Sequence, residues 1–185
     1  MRALTQSGKP QRQQPRRRGF SLIELLIVVA IILIIAAIAI PNLPHVKIAA
    51  NEAAAEVLRT ITTAAVTYNS TYGNGYPATL ASLGGPPGGV STCDLSVLMD
   101  NIIADAPSQK SGFIFAYTPV GNPVTAVPGC SAAGSNAYLV TATPISEFVT
   151  GIRSFCSDEP ATIHYDTTGA TAGSQNACEV LPALQ

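Results

Sequence analysis

Tryptophan is absent from this chain, and charge is scarce: Asp, Glu, Lys and Arg make up 11% of its 185 residues, against roughly 25% in an ordinary soluble domain. There are two histidines, His45 and His164. Neither falls in a spacing that suggests a Ser–His–Asp or Cys–His set, so nucleophilic and acid–base chemistry have nothing to stand on. The four cysteines, Cys93, Cys130, Cys156 and Cys178, contain no CxxC pair. Zinc sites usually take their ligands in close pairs, so that reading is poor. Asp158, Glu159 and Asp166 offer hard oxygens suited to calcium, but no EF-hand spacing accompanies them and a solvated turn is the plainer account. The expectation is a protein that is not an enzyme and carries no cofactor.

Basic residues are also missing from most of the chain. Arg2, Lys9, Arg12, Arg16, Arg17 and Arg18 precede Gly19, whereas all eleven acids follow it. Without residues 1–19, four basic groups face eleven acids, a formal −7. That balance excludes a broad basic face for nucleic acid.

What the chain has in abundance is hydrocarbon. Leu25 to Ile40 are sixteen consecutive apolar residues, and Phe20, Leu22 and Ile23 lengthen the run. Residues 20–43 are enough for a bilayer crossing, which takes about 20 residues. Arginines 16–18 stand directly before it, and by the positive-inside rule they stay cytoplasmic, so the C-terminal part is exported. A removable signal peptide has a shorter apolar core, ~7–15 residues, and a small-residue cut site after it. In an exported body an even cysteine number favours two disulfides. Three pairings exist; Cys93–Cys130 with Cys156–Cys178 close shorter loops.

Beyond Pro41 and Pro44, apolar residues recur at Val46, Ala50, Ala53, Val57, Ile61, Ala64, Tyr68 and Tyr72. Steps of three and four mark a helical stripe, with Lys47, Asn51, Glu52, Glu56 and Thr63 off it. Residues 20–43 and 44–73 therefore read as two halves of one helix, kinked at the prolines and ending near Gly73. Tyr68, Tyr72 and Tyr76 recur every four residues, and packing of that stripe explains them better than aromatic electron transport. Asn69–Ser70–Thr71 matches a glycosylation sequon on the same helix, and is discounted.

Residues 74–185 form the remaining globular region. A Gly- and Pro-rich loop leads to a short helix over about 93–104, capped by Ser91 or Thr92. Then come about four antiparallel strands, "GFIFAYTPV", "NAYLVTATPI", "IRSFCS" and "ATIHYD". The fold class is α+β.

Glu24 is the anomaly, an acid inside the apolar run. At mid-bilayer a carboxylate costs roughly 2.5–3.5 kcal/mol on insertion scales. Together, "RRRGFSLIELL" and the run behind it resemble the N-termini of type IV pilins and of type II secretion pseudopilins. The matching positions are Gly19, Phe20, Glu24 and Pro41, and the strong likeness covers about residues 16–45. The resemblance implies a type IV pilin-like fold and a cut between Gly19 and Phe20 by a prepilin peptidase, removing leader 1–19. It further implies N-methylation of Phe20, assembly at an inner-membrane platform, and polymerisation with copies of itself.

Cleavage would give Phe20 an ammonium with a reference pKa near 7.7–8. Glu24 could pair with that amine, on its own subunit or a neighbour, and so set register. The expected location is the bacterial inner membrane for the precursor, then a surface pilus or a periplasmic pseudopilus. Three functions follow: a pilus subunit, the major pseudopilin of a type II secretion machine, or a monomeric membrane-anchored binding domain. Cys156 and Cys178 would frame a surface loop as in many pilins, whereas Gly75–Tyr76–Pro77 before "LASL" is similar to major pseudopilins.

Overall fold

The computed structural model describes residues 19–39 and 43–184, with residues 38–39 and 43–45 described as backbone alone. Two compact units result, divided between 42 and 43.

The first unit is helix α1, Leu22–Ala39. Ser21 begins it: its carbonyl accepts from the backbone N–H of Glu24 (3.1 Å) and Leu25 (3.3 Å). Apolar residues surround the helix axis, a pattern that belongs in lipid or in a protein core. Among the described residues no helix is long and apolar enough to cross a membrane. Helix α1, at 18 residues, rises about 27 Å against a hydrocarbon core of about 30 Å. The expected span 20–43 also includes residues 40–42, which with Pro41 lie outside the described residues.

The second unit opens with helix α2, Leu43–Tyr72, and Pro44 lies in its first turn, where a missing N–H costs little. Gly73, at φ +64°, ends it in the left-handed conformation that glycine adopts without strain. Alongside is a five-stranded antiparallel sheet in the order β1–β5: β1 Gln109–Lys110, β2 Phe113–Pro123, β3 Ser135–Pro144, β4 Ser154–Asp158 and β5 Ile163–Asp166. The four strands read from sequence are all present. Strand β1, two residues long, is too short to leave a pattern. Strands β4 and β5 form the predicted hairpin, pairing Ser157 with Ile163 and Ser154 with Asp166.

The core lies between α2 and one face of the sheet. Leu58, Ile61 and Tyr68 meet Phe113, Phe115, Tyr138, Val140 and Phe155. Ala54, Ala55, Ala64 and Ala65 are buried with them, and their small side chains let the helix approach closely. The buried stripe runs 54, 58, 61, 65, 68, so it departs from the predicted one at its start. Leu58, with the larger apolar area, takes the place assigned to Val57, and Val46 is 66% exposed.

The other face of the sheet carries a smaller cluster, Leu139, Cys156 and Cys178, joined by Val120, Ala172 and Leu181. Chain 167–184 folds over it, including helix α4, Gln175–Glu179, whose N-cap Ser174 accepts from Ala177 N–H. Every residue of β4 is consequently buried. The tail then runs beside β5: Tyr165 N–H donates to Pro182 O (3.0 Å) and Leu184 N–H to Ile163 O (2.7 Å).

The helix expected over 93–104 is confined to α3, Asn101–Ala104, capped by Asp100 rather than Ser91 or Thr92. The backbone donors of the preceding residues go elsewhere. Ser96 N–H bonds Ser82 O, Val97 N–H bonds Gly84 O, and Leu98 and Met99 N–H share Leu83 O. Those bonds tie 96–99 to a 3-10 turn at Leu80–Leu83, a tertiary pairing that outweighs the helical spacing of the apolar residues.

Candidate functional site

The N-terminal junction is the one place where chemistry-bearing residues cluster as the sequence predicts. Gly19, Phe20 and Ser21 are exposed, non-helical chain leading into α1. A Cβ placed on Gly19 would meet nothing within 4 Å, so nothing inside the chain requires glycine there. Phe20 is 81% exposed.

Glu24 occupies the first turn of α1, where the helix dipole favours an anion. Its Oε2 accepts from the backbone N–H of Ser21 at 2.9 Å. Ser21 and Glu24 thus stand at the two positions of a capping box, with the acid reaching back to the N-cap. The S-x-x-E spacing of residues 21–24 is the sequence signal for this contact. Ser21 N is three covalent bonds from Phe20 N. The carboxylate is therefore aimed at the chain direction in which a cut after Gly19 would create an amine.

The remaining candidates are dispersed through the second unit in structural roles. Disulfides join Cys93 to Cys130 and Cys156 to Cys178. The second fastens the C-terminal chain over the outer face of the sheet. Tyr68 donates to Cys93 O at 2.9 Å, and rings Tyr68 and Tyr72 lie 5.0 Å apart. Tyr138 packs against Tyr76 at 4.7 Å and Tyr117 at 5.6 Å. Burial first, then neighbouring tyrosines, pushes the Tyr117 phenol well above its ordinary range. These rings are core packing.

His164 Nδ1 lies 2.7 Å from Leu181 O, holding the tail in place. The side chain of His45 lies outside the described residues.

The acids named for calcium are not brought together. Asp158 is at one end of β4, while Asp166 pairs opposite Ser154 at the other end. Glu159 Oε2 accepts from Gln175 Nε2 at 2.5 Å, and Asp166 accepts from the N–H and hydroxyl of Thr168. Among the described residues no group of three or more His, Cys, Asp or Glu can hold a metal ion.

The segment containing the junction defines a class. Residues 14–40 carry the prokaryotic N-terminal methylation motif. The same region is 77% identical, over 31 residues, to the type IV major pilin protein PilA of Myxococcus xanthus strain DK1622. That likeness covers 17% of this chain and 14% of the PilA chain. No solved structure matches this protein.

Proposed function

We propose that this chain is the structural subunit of a type IV pilus or pilus-like filament. In this reading it is made as a prepilin in the inner membrane with its N-terminus cytoplasmic. A prepilin peptidase cuts after Gly19, Phe20 is N-methylated, and an inner-membrane platform polymerises the chain through residues 20–43. The observation that carries it is the coincidence on one segment of the methylation motif, an apolar helix with its long side chains exposed, and a carboxylate in its first turn bonded to Ser21 N–H. Apolar area on that scale requires cover, which lipid supplies before assembly and other copies supply after it.

Within a bundle of such helices an unpaired carboxylate is costly, and the Phe20 ammonium is its nearest partner by chain position. Methylation leaves the charge in place. Pairing across subunits, or within one, fixes axial register. Mass spectrometry of sheared surface filaments tests processing: the expected chain starts at N-methylated Phe20, and filaments of chain retaining Met1 would overturn the reading. Filament yield from Glu24→Ala and Glu24→Gln tests register, since wild-type assembly by both would refute it. The pilus is preferred over a secretion pseudopilus on the likeness to the M. xanthus type IV major pilin and on the disulfide-framed C-terminal region. Loss of enzyme secretion without surface fibres, on deletion, would reverse that preference.

A further inference from the structure

The turn between β3 and β4, residues 145–151, exposes three large apolar side chains: Ile145 (49%), Phe148 (57%) and Val149 (67%). It is not loosely held. Val149 and Thr150 N–H both donate to Ser146 O, at 3.1 and 2.9 Å, and Ser146 N–H returns a bond to Thr150 Oγ1 at 3.1 Å. Gly151 is packed so tightly on Phe113 that a Cβ there would lie 2.4 Å from the ring. Phe148 itself sits at φ +57°, a left-handed conformation that bulky residues rarely adopt. Strain held at an exposed aromatic side chain is a pointer to use.

The turn is pinned to the opening turns of α2. Lys47 Nζ donates to Phe148 O, and Asn51 Oδ1 accepts from Ile152 N–H at 3.2 Å. Val46 and Ile48, exposed at 66% and 50%, flank Lys47. Five large apolar residues and a lysine thus gather where the chain emerges from its apolar run. Lys47 is seven residues past Ile40, the last of the run. Seven residues rise about 10 Å as helix and reach about 25 Å at full extension.

We propose that this turn is a membrane-interface anchor, resting Phe148 and Val149 in the headgroup–acyl boundary while the subunit awaits assembly. The inference depends on the run 20–40 lying in the bilayer, as proposed above. Given that, the chain allows Lys47 no more than about 25 Å from the end of the run. Exposed apolar side chains beside Lys47 suit the boundary layer, where apolar groups are partly immersed. Glu147 of the same turn lies beside Gly169 and Arg153 stacks on Tyr165, so the contact is with the acyl boundary rather than with anionic headgroups.

The lack of tryptophan makes a direct test available. Full-length Phe148→Trp, Leu33→Trp and Val90→Trp chains are reconstituted separately in phosphatidylcholine–phosphatidylglycerol vesicles, with and without acyl-brominated lipid. Val90 is 87% exposed and adjoins Ser91, which bonds Tyr72 at the far end of α2. The expected result is strong quenching at Leu33→Trp, a blue shift with shallow-bromine quenching at Phe148→Trp, and neither at Val90→Trp. If Leu33→Trp is quenched while Phe148→Trp matches Val90→Trp, the anchor is refuted and the membrane reading survives. If Leu33→Trp also escapes quenching, both fall. A blue shift at Phe148→Trp without quenching by bromine would mean that a second copy covers the turn, and would likewise refute the lipid anchor.

Discussion

Leu33 in α1 and Leu58 in α2 are the same side chain in the same secondary structure, yet the first is 63% exposed and the second wholly buried. The difference lies in what each unit contains to bury against. Residues 43–184 fold a helix, a sheet and a disulfide-fastened tail onto two faces, so most of their large apolar side chains outside the 145–151 turn and the start of α2 find partners within the chain. Residues 19–39 have one helix and bury nothing large. Amphipathicity separates the two: α2 has polar positions off its stripe and so a face to bury, whereas α1 is apolar on all sides. One unit has a core of its own, and the other leaves its apolar side chains exposed.

The sharpest way to break that contrast is at Glu24. Leaving a buried charge without its partner costs about 3–5 kcal/mol, which is roughly two to nearly four orders of magnitude in an association constant. Glu24→Ala strands the amine in this way. It is expected to reduce filament yield by at least that order while leaving the unfolding midpoint of residues 43–184 unchanged in circular dichroism.

Paired truncations come next. Leu58→Ala should cost about 2–5 kcal/mol in urea unfolding of detergent-solubilised chain. Leu33→Ala should cost under about 0.5 kcal/mol in the same assay, its effect appearing only in assembly. Similar losses at both sites would show that α1 is part of the folded core. Replacing Cys156 and Cys178 together by Ser should lower stability by about 2–4 kcal/mol, again with the effect confined to the second unit.

The smallest effect concerns pH within the second unit. Burial first, then Glu159 and Glu179, raises the carboxyl of Asp158 above its ordinary value of 3.8, with His164 opposing. The folded state therefore holds a proton that the unfolded state has released. Stability from this group is greatest in acid and declines as pH rises above about 3.8 through the folded value. Asp94 and Asp166 act oppositely, their carboxyls lowered by hydroxyl and backbone donors of Ser131 and of Thr168. Their contribution is present above 3.8 and is lost in acid. Asp158→Asn should thus raise the melting temperature at pH 7 relative to wild type more than at pH 4, and an equal shift at both would discount the buried charge.

The fold was largely legible because its signals are local. Alternation in "GFIFAYTPV" and "NAYLVTATPI" marks strands, Gly73 marks the end of α2, and the junction residues at 19–24 stand together in sequence. What escaped reading depends on long-range pairing. Leu95, Leu98, Met99, Ile102 and Ile103 have helical spacing, but backbone bonds to residues 82–84 hold 96–99 in another form. The outer cluster of Leu139 with Cys178 needs the tail to cross the sheet, which no pattern in 167–184 announces. Ser21–Glu24 is legible in the sequence, since the box spacing is local.

The pairing of residues 182–184 alongside β5 has a consequence for how copies can join. A sheet grows between molecules by strand addition at an unpaired border, the route to amyloid-like fibres. Here the β5 border is occupied by the tail, with Pro182 contributing no donor, whereas on the opposite side Gln109–Lys110 pairs only with Phe113 and Ile114 of β2. In the filament proposed above, the tail closes the β5 border to a neighbouring copy, and joining there falls to the helix.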